Sequence, residues 1–154
     1  MQDIIIRKAT PDDMDTLLVF EQGVIKFERP FDPTLDEDIH YYDLNEMITA
    51  PLIELLVAEK SGELVASGYA RIEAAARPYL KHDRHAYLGF MYVVPECRGR
   101  GINRLIIDQL KIWSATQGVT ELLLEVYASN AGAIKAYEKA GFEQLTIAMR
   151  MGLK

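Results

Sequence analysis

Between a predicted strand and a predicted helix, the sequence contains four consecutive arginine and glycine residues: Arg98, Gly99, Arg100 and Gly101. A helix N-terminus has unpaired backbone N–H groups and carries roughly half a positive charge. The glycines permit positive φ and let a ligand approach the backbone, while the arginines can form charge-assisted hydrogen bonds. The pattern is typical of a phosphate site. A glycine-rich turn with solvated arginines is the alternative at this point.

Two common phosphate loops do not fit these residues. A Walker loop needs Gly-Lys-Ser/Thr, and a dinucleotide fingerprint starting at Gly99 would need glycine where the chain has Arg104. The lone Cys97 cannot form an internal disulfide and has no histidine nearby in sequence to activate it as a nucleophile. His82 and His85 lack further ligands at metal-binding spacing, so we predict a solvated loop and no metal.

A second motif in the sequence indicates which ligand the cationic turn would bind. The stretch "VVPECRGRGIN", followed later by "NAGAIKAYEKAGF", resembles the GNAT superfamily of acyl-CoA-dependent N-acetyltransferases. The family's pyrophosphate loop, Arg/Gln-x-x-Gly-x-Gly/Ala, is matched at Arg98 and Gly101 and departs from the pattern at Asn103. The family's later helix motif is matched at Asn130, Ala133, Tyr137, Gly141 and Phe142. The resemblance implies transfer of an acetyl group directly from acetyl-CoA to a primary amine.

The same resemblance implies which residues bind acetyl-CoA. Backbone groups at the end of the strand before the loop would meet the pantetheine amides and the oxyanion, and the loop would hold the pyrophosphate. The implied residues are Met91, Tyr92, Val93, Arg98, Gly99, Arg100, Gly101, Ile102, Asn103, Asn130, Ala133 and Tyr137. Because a side chain at position 103 would crowd the pyrophosphate, Asn103 must point away or the cofactor must be held differently.

Two side chains are implied for catalysis. The amine must lose a proton, and Glu125 is the candidate base because "LLLEVYASN" is similar to the ribosomal-protein N-terminal acetyltransferase branch. An ordinary ion pair of a strand glutamate is the alternative. Tyr137 matches the family tyrosine that donates a proton or a hydrogen bond to the leaving thiolate. A fold that keeps the acyl-CoA site but acts as a sensor or regulatory module is the alternative function.

The secondary-structure elements that position these residues are predicted from the hydrophobic periodicity and from the residues that start or end helices and strands. They predict the order β-α-α-β-β-β-α-β-α-β, an α/β fold with a central, mixed and mostly antiparallel sheet flanked by helices, which fits the GNAT fold. Thr10 is the expected N-cap of the first helix, the second runs from Leu35 to Ile48, and Ser61-Gly62 joins a hairpin. The run 119–128 predicts a strand buried on both faces, and 142–151 predicts the last strand.

Composition sets the remaining expectations. The 154 residues predict a single domain, 1–154, of which 49% are hydrophobic and 26% charged, and no apolar run is long enough to cross a bilayer. The N-terminal residues do not resemble a signal peptide, and a lone cysteine permits a reducing compartment, so we expect a cytoplasmic protein. The net charge of −6 argues against nucleic-acid and membrane partners. A homodimer is possible.

The acceptor is the least constrained partner. Residues 28–46 contain one arginine, Arg29, and seven carboxylates, Glu28, Asp32, Asp36, Glu37, Asp38, Asp43 and Glu46. In the superfamily this segment usually shapes the acceptor cleft, and such a patch would concentrate cations. We therefore predict a cationic amine, such as a polyamine, an aminoglycoside-like amine or a basic peptide terminus. A solvated acidic surface without function is the alternative.

Overall fold

The computed structural model describes residues 3–154, which form two compact units. The first ends at Leu124 and contains every strand, and the second is Glu125–Lys154. Among residues 3–154, no helix combines the length and the apolar composition needed to span a membrane.

The first unit is built on one sheet of five strands, which lie side by side in chain order. The strands are β1 (Ile4–Lys8), β2 (Ile53–Lys60), β3 (Glu63–Ala74), β4 (Arg84–Val93) and β5 (Leu122–Leu123). Neighbours from β1 to β4 are antiparallel, and β5 is parallel to β4. The predicted mixed, mostly antiparallel sheet is therefore confirmed.

The turn between β2 and β3 has two residues, Ser61 and Gly62, with φ of 52° and 83°. Positive φ at both positions is the type I′ arrangement, whose twist matches that of the flanking strands. The predicted hairpin is confirmed at the predicted residues.

Helices cover both faces of this sheet. They are α1 (Met14–Glu28), α2 (Leu44–Thr49) and α3 (Ile102–Thr116), while α4 (Ala131–Lys139) belongs to the second unit. Leu17 and Phe20 of α1 share a buried cluster with Tyr69 of β3. Ile106 of α3 lies against Gly68, the preceding residue of β3. Because successive strand residues point to opposite faces, α1 and α3 pack on opposite sides of the sheet.

The start of α1 uses the predicted signals. Thr10 precedes a short 3-10 turn, Pro11–Asp13, and its backbone N–H donates to the Asp13 carboxylate at 2.8 Å. Asp13 in turn accepts two hydrogen bonds from the Arg7 guanidinium, at 2.8 and 2.9 Å, and the same guanidinium donates to Glu59 at 3.1 Å. One ionic cluster therefore joins β1, β2 and the start of α1.

Three predicted elements differ in the structure. Helix α2 begins at Leu44, not near Leu35, because the Asp43 side chain caps it by accepting from the Glu46 N–H at 3.1 Å. Strand β5 has only two residues, both half-buried, so burial on both faces was wrong. Residues 142–154 contain no helix or strand, so the expected last strand is absent from the order of elements.

Candidate active site

The C-terminal part of β4 is irregular where the sequence predicts cofactor contacts. Tyr92 pairs with Ser67 and Gly89 pairs with Tyr69, so Phe90 and Met91 together lie opposite Gly68. This two-against-one arrangement is a β-bulge, and Phe90 has a left-handed φ of 54°. The Ser67 hydroxyl donates to the Phe90 carbonyl at 2.9 Å in a buried position, which holds the bulge in place.

Glycines make room for the side chains of this segment. A Cβ on Gly23 of α1 would lie 2.7 Å from the Tyr92 ring, and a Cβ on Gly68 would lie 2.6 Å from the Met91 sulfur. A Cβ on Gly89 would lie 2.8 Å from the Tyr69 hydroxyl. Real side chains do not approach so closely, so the absence of a Cβ at these positions lets the bulged segment pack against α1, β3 and α3.

The outer edge of this segment is open. Strand β5 pairs only with Ala86 and Tyr87 of β4, so within residues 3–154 no strand continues the ladder beside Met91, Tyr92 and Val93. An unpaired strand edge presents backbone N–H and C=O groups to a ligand. This is the geometry required of the predicted pantetheine contacts.

The cationic turn follows directly from β4. Arg98 folds back on the strand, with its Nε donating to the Val93 carbonyl at 2.8 Å and its guanidinium 5.6 Å from the centre of the Tyr92 ring. Gly99 and Gly101 have φ of 76° and 80°, and no atom beyond their immediate chain neighbours lies within 4 Å of where their Cβ would be. The structure thus brings Arg98 together with Tyr92 and Val93 and leaves open space above both glycines.

Helix α3 begins at this turn without a side-chain cap. Gly101 is the N-cap in the left-handed conformation, so the first backbone N–H groups of the helix have no capping side chain. Ile102 is buried, and Asn103 is half-buried with a side-chain oxygen that is shielded from solvent and has no hydrogen-bond partner in the described structure. The buried oxygen favours the first explanation of Asn103, an orientation away from the ligand. Open glycines, arginines and uncapped N–H groups fit a pyrophosphate.

The second unit holds the other predicted residues. Asn130 caps α4, with its side-chain oxygen accepting from the Ala133 N–H at 3.2 Å. Tyr137 is half-buried and packs edge-on against Phe142, with ring centres 5.9 Å apart. The residue Glu125 is exposed at the start of the unit.

A buried carboxylate that sequence reasoning missed organises residues 40–42. Glu21 of α1 is fully buried and accepts from the backbone N–H groups of Tyr41 and Tyr42, at 2.8 and 2.9 Å. It also pairs with the His40 Nδ1 at 2.7 Å. The sequence feature that could have identified Glu21 is its position among Leu17, Phe20 and Ile25, which are buried residues of α1. A carboxylate at such a position needs hydrogen-bond partners.

These hydrogen bonds place Tyr42 against the bulge. Its ring centre is 4.5 Å from that of Phe90 and 5.9 Å from that of Tyr69. Burial raises the pKa of the Tyr42 hydroxyl above its ordinary value, so Tyr42 is a neutral wall. The Arg71 guanidinium lies 5.5 Å from the ring centre of Tyr69 and pairs with Glu73 at 2.9 Å. The positive charge of Arg71, which lies at the aromatic surface next to the bulge, is therefore balanced by the Glu73 carboxylate.

The acidic segment divides into two kinds of carboxylate. Asp32 and Asp43 accept local backbone hydrogen bonds. The remaining carboxylates that follow Glu28 in the segment are exposed: Asp36, Glu37, Asp38 and Glu46. Glu28 is half-buried, and burial raises the pKa of its carboxyl above the ordinary value. Arg29 donates to the backbone carbonyls of Asp36 and Glu37, which fixes the loop. Most of the segment's negative charge therefore faces solvent.

The prediction that His82 and His85 lie in a solvated loop was wrong for His85. His85 belongs to β4 and is buried, with its Nε2 3.0 Å from the Glu73 carboxylate, because β4 starts at Arg84 and not after the histidine. His82 is half-buried in the preceding loop.

Comparison with known proteins agrees with this geometry. Residues 21–142 match the model of the acetyltransferase (GNAT) family. The chain is 46% identical over 55 residues to the ribosomal protein bS18-alanine N-acetyltransferase of Salmonella typhimurium, which is 36% of this chain and 37% of that protein. It is 30% identical over 106 residues to the IAA acetyltransferase of Azospirillum brasilense, 69% of this chain and 64% of that protein. The chain thus covers less than two thirds of either relative.

Solved structures extend the likeness to the whole fold. A predicted acetyltransferase from Clostridium acetobutylicum, solved with acetyl-CoA, has a TM-score of 0.73 at 20% identity, over 97% of this chain and 96% of that one. The aminoglycoside 6′-N-acetyltransferase of Acinetobacter haemolyticus has a TM-score of 0.75 at 15% identity, over 97% and 98%. With the family model matching most of its length, the chain belongs to the GNAT acetyltransferase family.

Proposed function

We propose that this protein transfers an acetyl group from acetyl-CoA to the primary amine of a cationic small molecule or peptide terminus. The observation that carries the proposal is the turn between β4 and α3. It combines two open glycines with positive φ, two arginines and an uncapped helix N-terminus, directly after an unpaired strand edge.

The first unit would hold the acyl donor. Gly99, Arg100 and Gly101, with the N–H groups of Ile102 and Asn103, would surround the pyrophosphate, and Arg98 would hold the turn against β4. The backbone of Met91 and Tyr92 would bind the pantetheine amides and stabilise the oxyanion. The Val93 carbonyl already accepts from Arg98, so Val93 would contribute its remaining backbone groups.

The second unit would supply proton transfer. The exposed Glu125 carboxylate would take a proton from the acceptor ammonium, directly or through water, and the free amine would attack the thioester carbonyl. The tetrahedral intermediate would then lose the extra proton on its nitrogen to water and release the CoA thiolate, which Tyr137 would stabilise by donating a hydrogen bond or its phenolic proton. Asn130 and Ala133 would contact the cofactor from the start of α4.

Charge supports a cationic acceptor. The exposed carboxylates of residues 36–38 lie three to six residues before Tyr41 and Tyr42, whose backbone Glu21 fixes next to the β4 bulge. Anionic surface beside an aromatic wall attracts organic cations by long-range and cation–π interactions. The relative with the greatest identity reported above acts on an alanine of a ribosomal protein, which keeps a peptide terminus among the candidates.

The proposal extends to the setting of the protein. We propose that residues 1–154 form one acetyltransferase domain. A cytoplasmic location fits the single, buried Cys97, which requires no oxidising compartment. A catalytically weak acyl-CoA sensor is the second candidate, favoured only by the departure at Asn103.

Release of free CoA tests the two candidates. The protein is incubated with acetyl-CoA and amines of graded charge: spermidine, an aminoglycoside, a basic peptide with a free N-terminus, glutamate and a phosphorylated aminosugar. We expect thiol release above the no-acceptor rate with the cationic amines and little with the anionic ones. Micromolar binding of acetyl-CoA by calorimetry without thiol release for any amine would instead favour the sensor.

A further inference from the structure

Residues 39–43, which precede α2, form neither a helix nor a strand, so no strand ladder pairs their backbone groups. The Glu21 carboxylate of α1 accepts from two consecutive N–H groups of this segment, those of Tyr41 and Tyr42, at 2.8 and 2.9 Å. Its other oxygen pairs with the His40 Nδ1 at 2.7 Å. The path of the segment therefore depends on a side chain of α1.

Further contacts tie the preceding acidic residues to the same helix. The Gln22 side chain donates to the Ile39 carbonyl at 3.3 Å. Arg29, directly after α1, donates to the backbone carbonyls of residues 36 and 37. The exposed carboxylates of residues 36–38 are thus held between contacts at the end of α1 and contacts at its middle.

An apolar side chain would fit the surroundings of Glu21. Glu21 has no exposed surface, and the buried residues Leu17, Phe20 and Ile25 of the same helix are apolar. Removing a carboxylate from water is costly, and an apolar side chain of similar volume in place of a buried charge is often neutral or stabilising. An apolar side chain cannot accept hydrogen bonds from two N–H groups. The residue type thus favours the geometry of residues 40–42 over the stability of the core.

The residue that these hydrogen bonds place next to the β4 bulge is Tyr42. Its ring packs on that of Phe90, the left-handed residue of the bulge, with ring centres 4.5 Å apart, and meets the Tyr69 ring edge-on at 5.9 Å. Tyr42 is only half-buried, so part of its ring is open to a ligand. Because the proposed function places the thioester at the adjacent Met91, the open part of the Tyr42 ring would border the acceptor.

We propose that Glu21 is a positioning residue for the acceptor: it holds Tyr42 against the bulge and so sets the affinity for the amine without contacting it. The inference rests on the proposed acetyltransferase function, because it assigns Tyr42 to the acceptor surface of that site. Without Glu21, the N–H groups of residues 41 and 42 turn to water and Tyr42 leaves Phe90. The acceptor then binds a mobile segment, and ordering that segment weakens binding.

Glu21→Leu tests the proposal, because it removes the acceptor of both N–H groups and keeps an apolar side chain of similar size in the core. The substrate is the amine that releases most CoA with the wild-type protein. We expect its KM to rise roughly tenfold or more, while the Kd for acetyl-CoA stays within about twofold. Glu21→Gln, whose amide oxygen still accepts from the N–H groups, should keep the KM within about threefold of the wild-type value.

Asp13→Asn is the matched control at the other end of the helix region. Asp13 is also a buried carboxylate that accepts from a backbone N–H, that of Thr10, but it makes no hydrogen bond to residues 39–43. This variant should lose more stability in urea than Glu21→Leu and leave the acceptor KM unchanged. An acceptor KM that simply follows the loss of stability across these variants would overturn the inference.

Tyr42→Leu keeps the hydrogen bonds of Glu21 and removes the ring. It should raise the acceptor KM by as much as Glu21→Leu does, and it remains decisive if Glu21→Leu does not fold. An unchanged KM in Tyr42→Leu would overturn the inference.

Hydrogen exchange measures the positioning without any enzymatic activity. We expect the amides of Tyr41 and Tyr42 to be protected in the wild-type protein and to exchange roughly tenfold faster or more in Glu21→Leu, while the amide of the core residue Val57 stays protected. Unchanged protection of residues 41 and 42 would refute the positioning role. Absence of thiol release by the wild-type protein would instead count against the proposed function, with the exchange result still deciding whether Glu21 holds the segment.

Discussion

Gly101 is the residue on which the proposed donor site depends most directly. Its φ of 80° is strained for any residue with a Cβ, and its surroundings are empty, so a larger residue would distort the turn and intrude on the open space. We expect Gly101→Val to raise the Kd for acetyl-CoA at least tenfold in calorimetry.

Gly62 provides the matched control for that substitution. It has a φ of 83° and equally empty surroundings, but it lies in the β2–β3 hairpin. Gly62→Val should cost a similar amount of stability without changing the Kd. Equal affinity in Gly101→Val and the wild-type protein would remove the turn from the donor site.

Tyr137 tests the chemistry of the leaving group. Replacement by Phe removes only the hydroxyl and keeps the edge-on packing with Phe142. We expect kcat to fall roughly 10²-fold or more, with little change in the KM for acetyl-CoA, because the lost interaction belongs to the transition state. Tyr79→Phe, which alters a tyrosine that is 73% exposed, should leave kcat unchanged. An unaltered kcat in Tyr137→Phe would exclude it from the mechanism.

Residues that act within a short motif were predictable, and residues that act through distant contacts were not. Arg98, Gly99 and Gly101 form their turn among adjacent residues, so their types alone indicate the site. Glu21 acts on backbone groups 20 and 21 positions later, and the left-handed Phe90 depends on pairing with β3. Neither arrangement has a local sequence pattern.

At the scale of elements, the cluster of Arg7, Asp13 and Glu59 predicts a pH dependence of stability. Hydrogen bonds from Arg7 hold the pKa of Asp13 below its ordinary value of 3.8. The folded state thus binds the Asp13 proton less readily than the unfolded chain. The stabilisation is complete above the unfolded pKa and is lost as the pH falls through the folded pKa.

Substitution of Asp13 by Asn makes that dependence measurable. At pH 7 we expect the free energy of unfolding in urea to fall by about 1–3 kcal/mol, because Asp13 is buried and accepts hydrogen bonds from Arg7 and Thr10. The difference from the wild-type protein should narrow as the pH is lowered from 7 to below the ordinary carboxyl pKa of 3.8. Asp15→Asn, at an exposed position of α1, should have little effect at either pH. A constant difference across this range would show that the ionised carboxylate is not the source.

Element boundaries were predictable where local chemistry sets them. The hairpin at Ser61-Gly62 needs only two residues with positive φ. Thr10 and Pro11 correctly indicate the start of the 3-10 turn Pro11–Asp13, whereas α1 itself begins three residues later, at Met14. The start of α2 was misplaced because Arg29 and Glu21 bind the backbone of residues 36–42 through long-range hydrogen bonds. The sequence of residues 142–151 has the period of two that is typical of a strand, but a strand forms only where a neighbouring strand pairs with it.

At the scale of the whole molecule, the net charge of −6 should influence acceptor capture. A negative surface raises the local concentration of cations, and salt screens the effect beyond ~10 Å at 0.1 M. Raising NaCl from about 20 mM to about 500 mM should lower kcat/KM for a polyamine roughly threefold to tenfold. A zwitterionic amine of no net charge should change little. If kcat/KM for both amines responded to salt in the same way, the net charge of the protein would not be the cause, and the prediction would be wrong.

The glycines beside the β4 bulge have a consequence for how this sequence can diverge. Gly23 and Gly89 each leave room for one large side chain, respectively Tyr92 and Tyr69, and Gly68 leaves room for Met91 and Ile106. An alanine at Gly23 is compatible with the fold only when Tyr92 becomes smaller, and the reverse change alone leaves a void. These positions therefore constrain one another as pairs. Mutational paths that change the side chains of this bulged segment must pass through coupled double replacements, so the effect of each single substitution depends strongly on its partner residue.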